Sequence, residues 1–304
     1  VFRQDRMTAS TTDTALGFSI PGRNARGRIV RIGPVLDEVL EAHAYPKPLA
    51  QLLGEALVLA ALFGSTLKEA GGQLTIQAQT QNGVVELLVA DYKGGELRGY
   101  VRHDPERLAA APVDPSLFSL FGQGYLAITF DQAVTGERYQ GIVPLEGESL
   151  AEAAEHYFVQ SEQIPSLIRI SVKQHENGRW VAGGMLLQHL AEGEEGRERL
   201  HVRLDHPEWE HIRTLGETVT DGELANPELA LDALIWRLFH DEGEIRVLPQ
   251  SPLGRGCRCD PVHIRQVVSQ FSAEEHAEMA DKDGVIRVDC EFCARSFPIE
   301  VAEL

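Results

Sequence analysis

The first 256 residues of this 304-residue chain contain no cysteine. Four appear in the last fifth, as C-x-C at Cys257 and Cys259 and as C-x-x-C at Cys290 and Cys293. Close-spaced thiols with no secretory leader favour metal or redox use over a structural disulfide framework. Positive charge is scarce as well: 28 basic against 46 acidic side chains leave a net charge of −18. Such a surface repels phosphate backbones, which removes the main source of generic nucleic-acid affinity. Long apolar runs are missing too. The densest stretch, Leu57 to Phe63, is far too short to span a bilayer, so no membrane association and a cytoplasmic location are expected. Nor is there a G-x-x-x-x-G-K-[ST] phosphate loop, a G-x-G-x-x-G, a G-x-S-x-G elbow or an H-E-x-x-H. The expectation is a protein that is not an enzyme and does not use ATP.

What is present suits a globular chain. The hydrophobic fraction is 43% and the charged fraction 24%, and the length allows two folding units. Residues Ala25 to Ile32 read as a strand, and Pro34 opens a helix carrying Val35, Leu36, Val39 and Leu40. A second helix from Pro48 has an apolar side broad enough for complete burial. Strands then follow at Gln73 to Thr80, Val84 to Ala90, Glu96 to Arg102, Tyr125 to Phe130 and Arg138 to Val143. Asn82-Gly83 and Gly94-Gly95 turn the chain between them. Ser149 and Glu152 predict a capped helix to about Gln163, and Asn177-Gly178 joins a hairpin of Leu167 to Val172 with Trp180 to Gln188. The predicted class is α+β, with an antiparallel-sheet core over residues 1–190.

Residues 191–246 read as a linker that folds only by docking its apolar side on neighbours. Asn226 and Pro227 are expected to cap its amphipathic helix, which carries Leu231, Leu234, Ile235, Leu238 and Phe239. Residues 247–304 form the cysteine-bearing tail, with helices starting at Asp260 and Ser272 and a strand from Val285 to Asp289. Arg23, Arg26, Arg28 and Arg31 form a local basic group, expected as an ordinary solvated edge. The opening dozen residues read as a frayed terminus.

Two close pairs of thiolates can each supply half of a tetrahedron, so Cys257, Cys259, Cys290 and Cys293 are the candidate ligands of one Zn²⁺. With little apolar mass in the tail, the metal is expected to contribute much of its stability, about 10–16 kcal/mol apparent for structural sites. A static zinc ribbon is the bland alternative. His263 and His276 are rival ligands, but four thiolates fill the coordination sphere, leaving both histidines as helix-surface residues. A C-x-x-C oxidoreductase would set its motif at a helix start, whereas Cys290 ends a strand. Glu152, Glu155 and Glu162 read as a solvated helix face, and Tyr157 and Phe158 as core.

Several segments together resemble one family, the redox-regulated heat-shock holdase chaperones (heat shock protein 33, or 33 kDa chaperonin). The resemblance is carried by Gly136 to Val143, Glu155 to Pro165, Ala182 to Gln188, Trp236 to His240 and the two cysteine pairs, and it spans nearly the whole chain. It implies an ATP-independent holdase of the oxidative-stress response, inactive when reduced with zinc on all four cysteines. It further implies that oxidation forms the disulfides Cys257–Cys259 and Cys290–Cys293, releases zinc and unfolds the linker. The active species it implies is a homodimer that binds unfolding client proteins. The physical reading agrees: once the sulfurs are oxidised the coordination energy is withdrawn, the tail melts, and the apolar faces docked beside it are uncovered. The alternative reading is a constitutive zinc-ribbon adaptor that binds protein or RNA.

Overall fold

The computed structural model describes residues 11–67, 71–133, 136–190 and 206–304. The first ten of the dozen residues expected to fray, and residues 191–205 of the expected linker, lie outside the described residues. The chain opens with β1 (Thr14–Ile20), β2 (Ala25–Ile32), α1 (Pro34–Glu41) and α2 (Lys47–Gly64). A meander of β3 (Gln73–Thr80), β4 (Val85–Lys93) and β5 (Glu96–His103) follows, then the short helices α3 (Pro105–Ala110) and α4 (Leu117–Phe121). Next come β6 (Gly124–Asp131), β7 (Arg138–Pro144), α5 (Leu150–Tyr157), β8 (Ser166–Gln174) and β9 (Trp180–His189). The architecture is α+β, as the sequence predicts.

Two six-stranded sheets enclose α2, which packs on strands of both. Fourteen of its eighteen residues are buried. By length and composition α2 could cross a membrane, but 78% of that stretch is buried inside the molecule, as expected of a core helix. Gly64 lets it approach β4, because a Cβ there would lie 2.2 Å from the Tyr92 ring. α5 starts at Ser149, whose hydroxyl accepts from the Glu152 N–H at 3.2 Å. The capping box is only half formed, since the Glu152 carboxylate accepts from the Glu148 N–H instead. A half-buried residue of α2, Glu55, accepts from the Ala151 N–H at 2.9 Å and completes that helix start.

Beyond residue 205 the chain forms α6 (Pro207–Glu217), α7 (Asp221–Leu224) and α8 (Leu231–Phe239). These helices lie on the first sheet and share a second hydrophobic core with it. Trp209, Ile212, Leu234, Ile235 and Phe239 meet Leu16, Phe18, Ile29, Met185 and Leu187. The expected start of α8 needs correction: its N-cap is Ala230, while the Asn226 carboxamide accepts from the Glu228 N–H in the preceding turn. Three two-residue strands then stitch the chain to both sheets: β10 (Arg246–Val247) and β11 (Ser251–Pro252) pair with β1, and β12 (Gly254–Arg255) pairs with β5.

The tail consists of α9 (Pro261–Val268), α10 (Ala273–Met279) and the hairpin β13 (Val285–Asp289) to β14 (Ser296–Glu300). Asp260 caps α9, and Ser272 with Glu275 forms a complete capping box on α10. Its fully packed core consists of Val268, Ile286 and Ile299. Three buried aliphatic side chains contribute about 5–9 kcal/mol of transfer free energy. Ordering some fifty residues costs far more than that.

Candidate metal centre

The four cysteines converge because β12 delivers Cys257 and Cys259 beside the β13–β14 turn that carries Cys290 and Cys293. Their four sulfurs all lie within 4.8 Å of one another. Cys257 Sγ is 3.1 Å from Cys259 Sγ and 3.7 Å from Cys290 Sγ, and Cys259 Sγ is 3.6 Å from Cys293 Sγ. The turn closes through the Cys290 N–H, which donates to the Arg295 carbonyl, and the Ala294 N–H, which donates to the Cys290 carbonyl. A four-sulfur cluster of this size is compatible with a metal site; an all-thiolate donor set suits a soft or borderline divalent ion.

The thiols differ in acidity. Burial raises Cys290, but hydrogen bonds from the Cys259 thiol and the N–H groups of Cys293 and Phe292 outweigh it and hold it at about 7. Burial raises both Cys257 and Cys259, and neighbouring thiols raise Cys259 further.

Neither rival histidine joins the cluster. His263 is exposed on α9. His276, expected on the surface, is buried and donates from Nε2 to the Val268 carbonyl at 2.8 Å, so it fastens the two tail helices together. Glu155 is also not the solvated residue expected: its carboxylate accepts from the Ile168 N–H at 2.6 Å. Tyr157 and Phe158 are core, as expected.

Residues inside each cysteine pair hold the centre against the second sheet. From the first pair, Arg258 donates to Gln73 Oε1 at 3.0 Å and lies 3.7 Å from Asp91. From the second, the Phe292 ring meets Tyr100 edge-on at 4.9 Å and lies under the Arg98 guanidinium at 3.9 Å. Arg98 is itself fixed by Asp91 at 2.7 Å, and His43 donates to the Phe292 carbonyl at 3.3 Å. Stacking of a cation on an aromatic ring contributes about 0.5–2 kcal/mol, so this contact is a modest clasp.

Two members of the basic group, Arg23 and Arg31, are not a solvated edge, because they hold the docked helices; Arg26 is exposed, as expected. Arg23 pairs with Glu208 of α6 and, at 2.8 Å, with Glu242 beyond α8; Glu242 also accepts from His211 at 2.7 Å. Arg31 is fully buried and its partners among the described residues are all carbonyls: Leu224 at 2.8 Å, Glu223 at 3.0 Å, Leu229 and Thr11. Burial lowers its pKa to about 10. Opposite Arg31 on β9 stands Gly183, where a Cβ would lie 2.1 Å from the Leu224 carbonyl. Sequence reasoning missed this latch, because Arg31 shares its strand with Arg26 and Arg28 and nothing in the sequence sets it apart.

Comparison with known proteins settles the family. A family model described as Hsp33 protein matches residues 13–300. The chain belongs to the Hsp33 family. A 33 kDa chaperonin of Caulobacter vibrioides is 44% identical over 300 residues, 96% of each chain. One from Pseudomonas aeruginosa is 35% identical over 303 residues, covering 97% of this chain and 94% of the other. Among solved structures, a 33 kDa chaperonin from Thermotoga maritima superposes with a TM-score of 0.78 over 96% of both chains; at 24% identity it supports the fold.

Proposed function

We propose that this Hsp33-family protein is an ATP-independent holdase switched on by oxidation, and that unfolding polypeptides are its clients. Cys257, Cys259, Cys290 and Cys293 would hold one Zn²⁺, which when bound supplies the cross-link that the small tail core lacks. The supporting observation is the gathering of all four thiols at the point where the tail meets the core.

The switch follows from sulfur chemistry. Each pair of thiolates gives two electrons to one peroxide, which takes two protons from solvent and leaves as two waters while an S–S bond forms. The proposed pairs are Cys257–Cys259 and Cys290–Cys293. Disulfide sulfurs no longer carry the charge that a divalent cation requires, and the tail loses its staple. The docked helices then lose their boundary, and the faces of Leu234, Ile235 and Phe239 become available to clients in a proposed homodimer.

A titration with peroxide, following metal release and suppression of client aggregation together, tests the proposal. Both signals should rise over the same range. Equal protection of clients by the fully reduced, metal-loaded protein would refute the switch.

A further inference from the structure

The second sheet has one edge that the tail itself closes. β5 pairs with β4 on one side along its length. On the other side its only strand partner among the described residues is β12, in parallel, over Glu96 and Leu97. The Gly254 N–H donates to the Gly95 carbonyl at 2.9 Å, and the Gly256 N–H to the Leu97 carbonyl at 3.0 Å. Four residues further along β5 the Tyr45 phenol takes over. It accepts from the Val101 N–H at 2.8 Å and donates to the Val101 carbonyl at 3.0 Å. A single hydroxyl thus does what a neighbouring strand would do.

Both closures are tied to the cysteine centre. β12 runs directly into Gly256 and Cys257. Tyr45 stacks on His43 at 4.9 Å between ring centres, and His43 donates to the carbonyl of Phe292, between Cys290 and Cys293. Loss of the centre would therefore withdraw β12 and loosen Tyr45 together.

An edge strand stripped of partners presents a row of N–H and C=O groups, a ready template for strand addition. We propose that the outer edge of β5 binds an extended segment of an unfolding polypeptide, and that β12 and the Tyr45 hydroxyl occupy it while the cysteine centre is intact. The occupant is argued from β12, a short extended segment already seated there through backbone bonds. Along β5 the side chains of Leu97 and Val101 are buried in the core, so recognition at the edge runs through the backbone and tolerates any client sequence. This site rests on the chaperone reading above and adds to it a place and a mode of binding.

Residue-resolved hydrogen exchange on the full chain tests it, with a reduced, carboxymethylated polypeptide that cannot refold as the client. The Leu97 and Val101 amides face the outer edge. They should be protected in the reduced protein, lose protection after peroxide treatment, and regain it when the client is added and held. Suppression of aggregation while both amides still exchange freely, or their protection throughout oxidation, would overturn the proposal. Re-protection on oxidation alone, growing with protein concentration, would assign the edge to a second copy of the chain and overturn the client assignment. Failure to suppress aggregation at all would instead remove the chaperone reading.

Two variants add independent arms. Val101→Pro removes the outward N–H without touching the β4 ladder, and should reduce client held by the oxidised protein. Tyr45→Phe strips only the hydroxyl, and should abolish protection of the Val101 amide in the reduced chain. Unchanged protection in Tyr45→Phe would count against the edge being closed as described.

Discussion

Gly183 shows how much can depend on a missing side chain. The Leu224 carbonyl sits where its Cβ would be, and Arg31 on the neighbouring strand gathers the Glu223, Leu224 and Leu229 carbonyls into one guanidinium. Gly183→Ala forces backbone atoms apart, an overpacking cost of about 1–3 kcal/mol that falls on the docked helices. We expect this variant to suppress client aggregation with its cysteines still reduced and its metal content unchanged, as read by light scattering beside a metal assay. A variant as silent as the parent would deny the latch its role. Glu55 gives a second prediction at this scale, because burial raises its carboxyl from the usual 4.5 to about 7. The folded state then binds that proton more tightly than the unfolded chain, so this group's contribution to stability falls as pH climbs from 4.5 to about 7. Glu55→Gln keeps an oxygen for the Ala151 N–H and should flatten the pH dependence of the urea midpoint over that window. The sequence exposed neither residue. A glycine reports nothing about which carbonyl will approach it, and a glutamate on a helix looks solvated until the helix is placed between two sheets.

Among the elements, the ones with their own periodicity were legible. α1, α2, the β3–β4–β5 meander and the β8–β9 hairpin stand where alternation, glycine turns and apolar stripes put them. Strands without a pattern were not. β1 was not anticipated, because its burial comes from α8 on one face, where Phe18 and Phe239 meet at 5.7 Å, and from the main core at Ala15. β10, β11 and β12 are two residues each and exist only through distant partners. The docking of α8, by contrast, follows from its amphipathic face. Ile235→Ala removes a fully buried side chain from the interface between α8 and the first sheet, at a cost of about 2–5 kcal/mol. We expect a lower peroxide requirement for client protection in this variant, measured as a shift in the titration midpoint. A midpoint identical to the parent's would show that this interface does not restrain client binding.

Over the whole molecule, stability is unevenly distributed. A large core around α2 ties the two sheets together, a second core holds α6 to α8 on the first sheet, and the tail has three fully buried apolar side chains of its own. The four thiols stand where the weakest part joins the strongest, and the tail's contacts through Arg258 and Phe292 are few and polar or aromatic. The spacing of the cysteines in the sequence announced the cluster. The surface it rests on was hidden, since Gln73, Asp91 and Arg98 are far from Cys257 along the chain and carry no motif. Phe292→Ala should leave metal stoichiometry intact while weakening the tail's hold, so that the tail is proteolysed faster in the reduced state. Equal rates for variant and parent would place the hold elsewhere.

The central claim is that metal on the four thiols keeps both the tail and the docked helices ordered. Hydrogen exchange with a chelator in reducing buffer, where no disulfide can form, tests it most directly. The account predicts loss of protection in α9, α10 and β13, followed by α6 and α8, while α2 and the sheet amides that bond to one another stay protected. Full protection of α8 and the tail after the metal is stripped would contradict it.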